Sequence, residues 1–195
     1  EQSLAIEKSI LDKVLVITGG PGTGKTTVIK AITNLYNNLG LEMILGAPTG
    51  RASKRLSEIT NHKATTIHRM LEYDWGSGGF LKDSSNPLTA DCVIVDESSM
   101  LDIYLTSSLL RAIPDTCTLI MVGDVDQLPS VGPGNVLRDI IHSGRVTVVR
   151  LTQIYRQNEK SLIVQNAHRI NEGNLPVEGI MDIKNKVIPD YLFIE

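Results

Sequence analysis

Gly19-Gly20-Pro21-Gly22-Thr23-Gly24-Lys25-Thr26 is the string in this chain whose residue types and spacing most directly imply chemistry. It fits the phosphate-loop pattern G-x-x-x-x-G-K-[ST], and it has the context the pattern requires, an apolar strand before it and a helical pattern after it. Glycines let successive backbone N–H groups turn inward around phosphate oxygens, and the helix N-terminus adds the positive end of its dipole. Gly20, Pro21, Gly22, Thr23, Gly24 and the following Thr27 would line the phosphates. Lys25 would reach the terminal ones while the Thr26 hydroxyl joins a Mg²⁺ shell. Further along, Asp91-Cys92-Val93-Ile94-Val95-Asp96-Glu97 is an apolar run that delivers two carboxylates at its C-terminal end, where open α/β sheets bind ligands. Asp96 suits the metal. Glu97 suits a general base that orients and deprotonates an attacking water, which a hydrolase needs and a kinase must avoid.

The elements that position these groups follow from the apolar pattern. Continuous apolar runs at 14–18, 43–47, 92–95, 119–122 and 146–151 read as strands, unbroken because helices cover both faces of a parallel sheet. Amphipathic stretches at 25–38, 50–59, 100–113, 136–142 and 162–171 read as helices, the last stopped by Gly173. The segment 72–89 breaks the alternation: Gly76, Gly78 and Gly79 with Tyr73, Trp75 and Phe80 predict a β-ribbon inserted into the core. At 195 residues and 42% hydrophobic, the chain has room for one α/β domain with a substantial core. One nucleotide-hydrolysing domain is expected over 1–176, with 177–195 opening a following segment that ends on the strand-like Tyr191-Leu192-Phe193-Ile194.

Bulk properties exclude several classes. A formal net charge of −3 argues against a globally basic nucleic-acid binder, so any such site must be local. No apolar run is long enough for a membrane span and no signal-peptide pattern is present, which sets the expectation of a cytoplasmic protein without membrane contact. Cys92 and Cys117 lie in apolar runs and read as buried reduced thiols. The histidines have no metal-ligand spacing, so no structural zinc is expected.

With these groups in view, five further strings resemble the ordered motifs of superfamily 1 helicases, in their RecD-like branch, the exodeoxyribonuclease V alpha subunit family. They are Ala47-Pro48-Thr49-Gly50-Arg51-Ala52, Thr66-Ile67-His68-Arg69-Met70-Leu71, Val93-Ile94-Val95-Asp96-Glu97-Ser98-Ser99-Met100, Val122-Gly123-Asp124-Val125-Asp126-Gln127-Leu128-Pro129-Ser130 and Leu151-Thr152-Gln153-Ile154-Tyr155-Arg156-Gln157. The resemblance implies a RecA-like P-loop fold, ATP and Mg²⁺ as ligands, and single-stranded DNA as the track. Gln2 resembles the upstream glutamine that reads the adenine edge, and Tyr155 the aromatic that stacks on it. Arg156 matches the arginine that meets the γ-phosphate in the transition state, and Gln127 the residue that senses that phosphate. Pro48, Thr49, Gly50, Arg51, Thr66 and His68 match the DNA-facing set, and Arg51, Lys54, Arg55, His62, Lys63 and Arg69 supply the local basic stretch that the net charge requires.

The pattern is departed from at Thr27, where some superfamily 1 helicases carry an arginine over the other adenine face, so nucleotide choice is left open. The resemblance also implies a second RecA-like domain, with its own arginine, outside these residues. It implies 5′-to-3′ movement on DNA in recombination and repair, either alone or beside nuclease-complex subunits. An ATP-gated binding module without unwinding activity and a P-loop phosphotransferase are the alternatives from other classes, and Glu97 with Arg156 argues against the module.

Overall fold

A computed structural model of the chain describes residues 1–153, 161–177 and 191. Its centre is a six-stranded parallel sheet built from β1 (Val14–Gly19), β2 (Met43–Ala47), β3 (Ala64–Thr66), β6 (Cys92–Val95), β7 (Thr118–Gly123) and β8 (Thr147–Leu151), in the order β3-β2-β6-β7-β1-β8. A two-stranded ribbon, β4 (Tyr73–Asp74) with β5 (Gly79–Phe80), stands apart from it.

Strand composition explains the layering. Successive side chains on a strand point to opposite faces. On β1, Leu15 and Ile17 enter one buried cluster and Val16 the other; Cys92 and Ile94 on β6 oppose Val93 and Val95 in the same way. Both faces are apolar because both are covered. The helices α1 (Gln2–Leu11), α2 (Lys25–Asn38) and α3 (Gly50–Thr60) lend Ala5, Ile29, Ile32 and Leu56 to the first cluster. On the opposite face α4 (Ile67–Met70), α5 (Ile103–Ala112) and α6 (Val136–Ser143) bring Ile67, Leu109 and Leu137. A further helix, α7 (Leu162–Asn171), packs near the end of β1.

The doubly wound sheet agrees with the sequence expectation, and so does the inserted ribbon, although only two residues per strand are paired within 72–89. Three elements differ. Helix α1 was not expected: only Ala5 and Ser9 are buried on it, while Leu4, Ile10 and Leu11 are exposed, so it has no apolar stripe to read. Strand β3 is a three-residue edge strand of intermediate burial, held to β2 by the Ala47–Thr66 register. The helix expected over 100–113 starts later, after a 3₁₀ turn at Ser98–Met100. Its start is set by Asp102, whose carboxylate accepts from the Leu105 N–H at 2.8 Å.

The parallel arrangement brings the C-terminal ends of β1, β6 and β7 to one edge, and the strand order reverses direction around β1. Ligands bind at such an edge. Gly19, Asp96 and Asp124 all stand there.

Candidate nucleotide site

At the end of β1 the chain turns through Gly22 (φ 77°) and Gly24 (φ 88°), a left-handed backbone that glycine adopts without steric cost. The buried Thr23 hydroxyl donates to the Gly20 carbonyl at 2.9 Å and ties the turn. Gly19 has no room for a side chain: a Cβ there would lie 2.5 Å from the Leu151 carbonyl oxygen of β8. Lys25 opens α2, and its ammonium donates to the carbonyl oxygens of Gly19 and Gly20. Burial lowers its pKa, while Asp124, then Glu97, then Asp96 oppose that shift. The loop, Lys25, Thr26, Asp96, Glu97 and Gln127 face one cavity of about 410 Å³.

The acidic side is delivered by two fully buried strands. Asp96 follows β6, and burial raises its pKa although the Glu97 N–H donates to it at 2.9 Å. Glu97 has φ 54°, a left-handed backbone that is uncommon for a residue other than glycine and is found at functional sites. Its carbonyl anchors the 3₁₀ turn through the Met100 N–H at 3.1 Å. Asp124 follows β7 and is buried. It accepts from the Asp126 N–H at 3.0 Å and from the Gln127 side-chain amide at 3.5 Å.

Two residues at this site escaped the sequence reading. Asp124 has a signal, a carboxylate placed directly after an apolar strand as at Asp96. Arg55 belongs in sequence to the basic stretch 51–69; it lines the cavity that residues 20–27 face. Its separation from Lys25 in sequence hides that proximity.

Along the same edge, the Thr152 N–H and hydroxyl both donate to the Glu1 carboxylate, at 2.8 and 2.6 Å, which holds the start of α1 and the half-buried Gln2 against the end of β8. A second cavity of about 390 Å³ adjoins the loop there, between Gly20, Asp124, Arg150, Thr152 and His168. The His168 Nε2 lies 3.3 Å from the Pro21 carbonyl oxygen. Tyr155 and Arg156 lie outside the described residues, as does most of the strand-like run that begins at Tyr191.

The residues read as DNA-facing divide between two places. Pro48, Thr49, Gly50 and Arg51 form the turn from β2 into α3, with the Thr49 hydroxyl capping that helix through the Ala52 N–H at 3.2 Å. Thr66 caps α4 through the Arg69 N–H at 3.3 Å. Gly50, Lys54, Lys63, Thr66 and Arg69 share one groove of about 620 Å³. His68 stands instead in an aromatic cluster with the ribbon, its ring centroid 5.9 Å from Tyr73 and 5.6 Å from Phe80. Trp75 touches Tyr73 edge-on at 5.0 Å and is otherwise 89% exposed.

A protein-family profile described as an AAA domain matches residues 2–133. The chain is 42% identical over 179 residues to the ATP-dependent RecD2 DNA helicase of Deinococcus radiodurans, which covers 92% of this chain and 24% of that protein. The chain belongs to the RecD-like helicase family. Within that family it is 35% identical over 164 residues to the RecBCD enzyme subunit RecD of Mycobacterium tuberculosis, covering 72% of this chain and 28% of the other. The chain thus spans about a quarter of the length of these curated relatives. The Pif1 helicase from Candida albicans superposes with a TM-score of 0.66 at 21% identity, over 90% of this chain and 44% of that one, which shows the shared RecA-like P-loop fold. Among the described residues no helix is long and apolar enough to cross a membrane.

Proposed function

We propose that residues 1–176 are the first RecA-like motor domain of an ATP-dependent DNA helicase acting in recombination and repair, with 177–195 leading into the next segment. The observation that carries this reading is one cavity lined by the phosphate loop, two acidic residues that end a buried strand, and the amide of Gln127. A phosphate-binding loop alone would serve many purposes; a carboxylate base beside it serves hydrolysis.

In this reading, backbone N–H groups of Gly22 to Lys25 hold the β-phosphate. Lys25 exchanges its loop carbonyls for phosphate oxygens, a stronger charge-assisted partner. Thr26 and Asp96 would hold Mg²⁺, and the fit is good: hard oxygen donors, a half-buried carboxylate that no salt bridge neutralises among the described residues, and a donor set sparse enough to leave room for water and phosphate. When bound, that ion neutralises charge developing on the phosphate oxygens. Glu97 takes the proton of the attacking water. Gln127, tethered to Asp124, registers whether a terminal phosphate is present.

Gln2 and Tyr155 would bind the adenine, and Arg156 would meet the γ-phosphate. Pro48, Thr49, Gly50, Arg51, Thr66 and His68 would meet single-stranded DNA, with Lys54, Lys63 and Arg69 supplying phosphate-directed charge in the groove beside them. A second RecA-like domain would complete the site, as would be expected for a chain a quarter of its relatives' length. Movement 5′-to-3′ and association with nuclease-complex subunits belong to the same proposal. The test is phosphate release from ATP by the longer protein that carries this domain, with and without oligothymidylate. Release that needs no acceptor and rises with the single strand is expected, and ATP turnover indifferent to DNA overturns the motor reading.

A further inference from the structure

Arg55 has no role in the reading above, yet it faces the phosphates. It sits on α3 and lines the cavity together with Lys25, Asp96, Glu97 and Gln127. Among the described residues its side chain forms neither a salt bridge nor a hydrogen bond, so its guanidinium is unspent. Lys25, by contrast, is already engaged by the loop carbonyls.

Position within the cavity narrows the ligand. Arg55 shares its walls with Asp96, Glu97 and Gln127, at the end where hydrolysis would occur, and not with Gln2 or Thr152 at the end where the base would lie. A guanidinium there meets the terminal phosphate of a triphosphate, which a diphosphate lacks. Its planar fork of donors matches phosphate oxygens, and a long exposed stem lets it reach them.

The helix that carries it matters as much. Thr49 and Gly50, at the start of α3, belong to the proposed DNA contact, and Arg55 follows six residues after Thr49, about 9 Å along the helix axis. One rigid helix therefore has a nucleic-acid end and a phosphate side. We propose that Arg55 is a binding residue for the terminal phosphate and that it makes α3 the direct link between nucleotide state and grip on the single strand. The assignment rests on the motor-domain reading.

The test compares the chain with its Arg55→Ala and Arg55→Lys variants, titrated with Mg-ADP and with slowly hydrolysed Mg-ATPγS, and with oligothymidylate in the presence and absence of each nucleotide. Arg55→Ala is expected to lose about ten- to a hundredfold in affinity for the triphosphate analogue, the worth of a hydrogen bond to a charged group, with little change for ADP. Arg55→Lys should recover part of the loss. Affinity for the strand without nucleotide should be unchanged, while its dependence on the triphosphate should flatten. An equal effect on both nucleotides, or none, overturns the assignment. So does loss of strand affinity in the absence of nucleotide, which returns Arg55 to the DNA groove. Lys25→Ala separates the two failures: if it binds both nucleotides as the unaltered chain does, the phosphate-loop reading itself is wrong; if it loses both, a flat Arg55 result counts against Arg55 alone. Equal thermal melts for the Arg55 variants confirm an intact fold, as expected for an exposed side chain.

Discussion

Thr152 grips Glu1 with both of its donors, N–H to Oε2 at 2.8 Å and hydroxyl to Oε1 at 2.6 Å, and so joins the last residues of the sheet to the first residue of the chain. The contact holds the start of α1 where β8 ends, against Thr152, which itself lines the cavity that adjoins the phosphate loop.

If Gln2 reads the adenine, Thr152→Val should weaken ATP binding several-fold while leaving inorganic triphosphate binding unchanged, because only ATP has a base to lose. Competition titrations with the two ligands decide it, and parallel losses would count against Gln2. The pH dependence has a definite sign. The Thr152 hydroxyl, then its N–H, lowers the Glu1 pKa, so the anchor is fully present above the ordinary glutamate range and fades as pH falls through the lowered value. Tight ATP binding should therefore persist into mildly acidic buffer as far as this contact governs it.

Lys25 and Glu97 should fail in different ways. Lys25→Ala removes the half-buried cation that would face the terminal phosphates and should abolish most affinity for Mg-ATP. Glu97→Gln keeps shape and polarity but no base, so binding should survive while turnover by the longer protein slows by about 10²–10⁴-fold. Calorimetry and phosphate release on the same preparations separate the two. Joint loss of binding and turnover in Glu97→Gln would remove it from the base role.

The ribbon should matter for strand separation and not for hydrolysis. Tyr73 and Phe80 pair across it at 5.1 Å and lean on His68, which leaves Trp75 as its projecting aromatic. A base offers an apolar face to such a ring. In the longer protein, replacing 73–87 with a short Gly/Ser linker should leave DNA-stimulated ATPase largely intact and sharply reduce duplex unwinding. Trp75→Ala tests the same idea without uncovering His68. Strand displacement at the unaltered rate in both variants would show that the ribbon has no part in unwinding.

The two thiols should be inert while the domain is folded. Burial pushes Cys92 up to about 12 and Cys117 up to about 11, so at neutral pH the reactive thiolate is scarce as well as inaccessible. Iodoacetamide at pH 8 should label neither until denaturant opens the sheet, and labelling of Cys92 should follow unfolding, because it opens the fully buried strand β6 and pairs with Thr118 of β7. Rapid labelling of the native chain would mean that this part of the core opens locally.

Residues 19–26 and the run ending at Asp96-Glu97 were legible because their geometry is local. A strand, a glycine turn and a helix start are encoded by neighbours in the chain, and the phosphate loop closes on itself through Thr23 and Gly20. The continuous apolar strands declared a sheet covered on both faces for the same reason: side-chain alternation is a property of one strand. Helix α1 was hidden because burial of Ala5 and Ser9 depends on what α1 packs against and leaves no periodic stripe.

By itself, the sequence determined the RecA-like class, the phosphate loop, the acidic pair and the family, since each rests on residue types at short spacing. Only the tertiary structure decided which distant side chains share the cavity. It carried Arg55 from the basic stretch to the cavity that residues 20–27 line, and set His68 against the ribbon rather than in the groove with Thr66. Those placements depend on how helices lie against the sheet. Packing between elements remote in sequence fixes that, and no periodicity within one element records it.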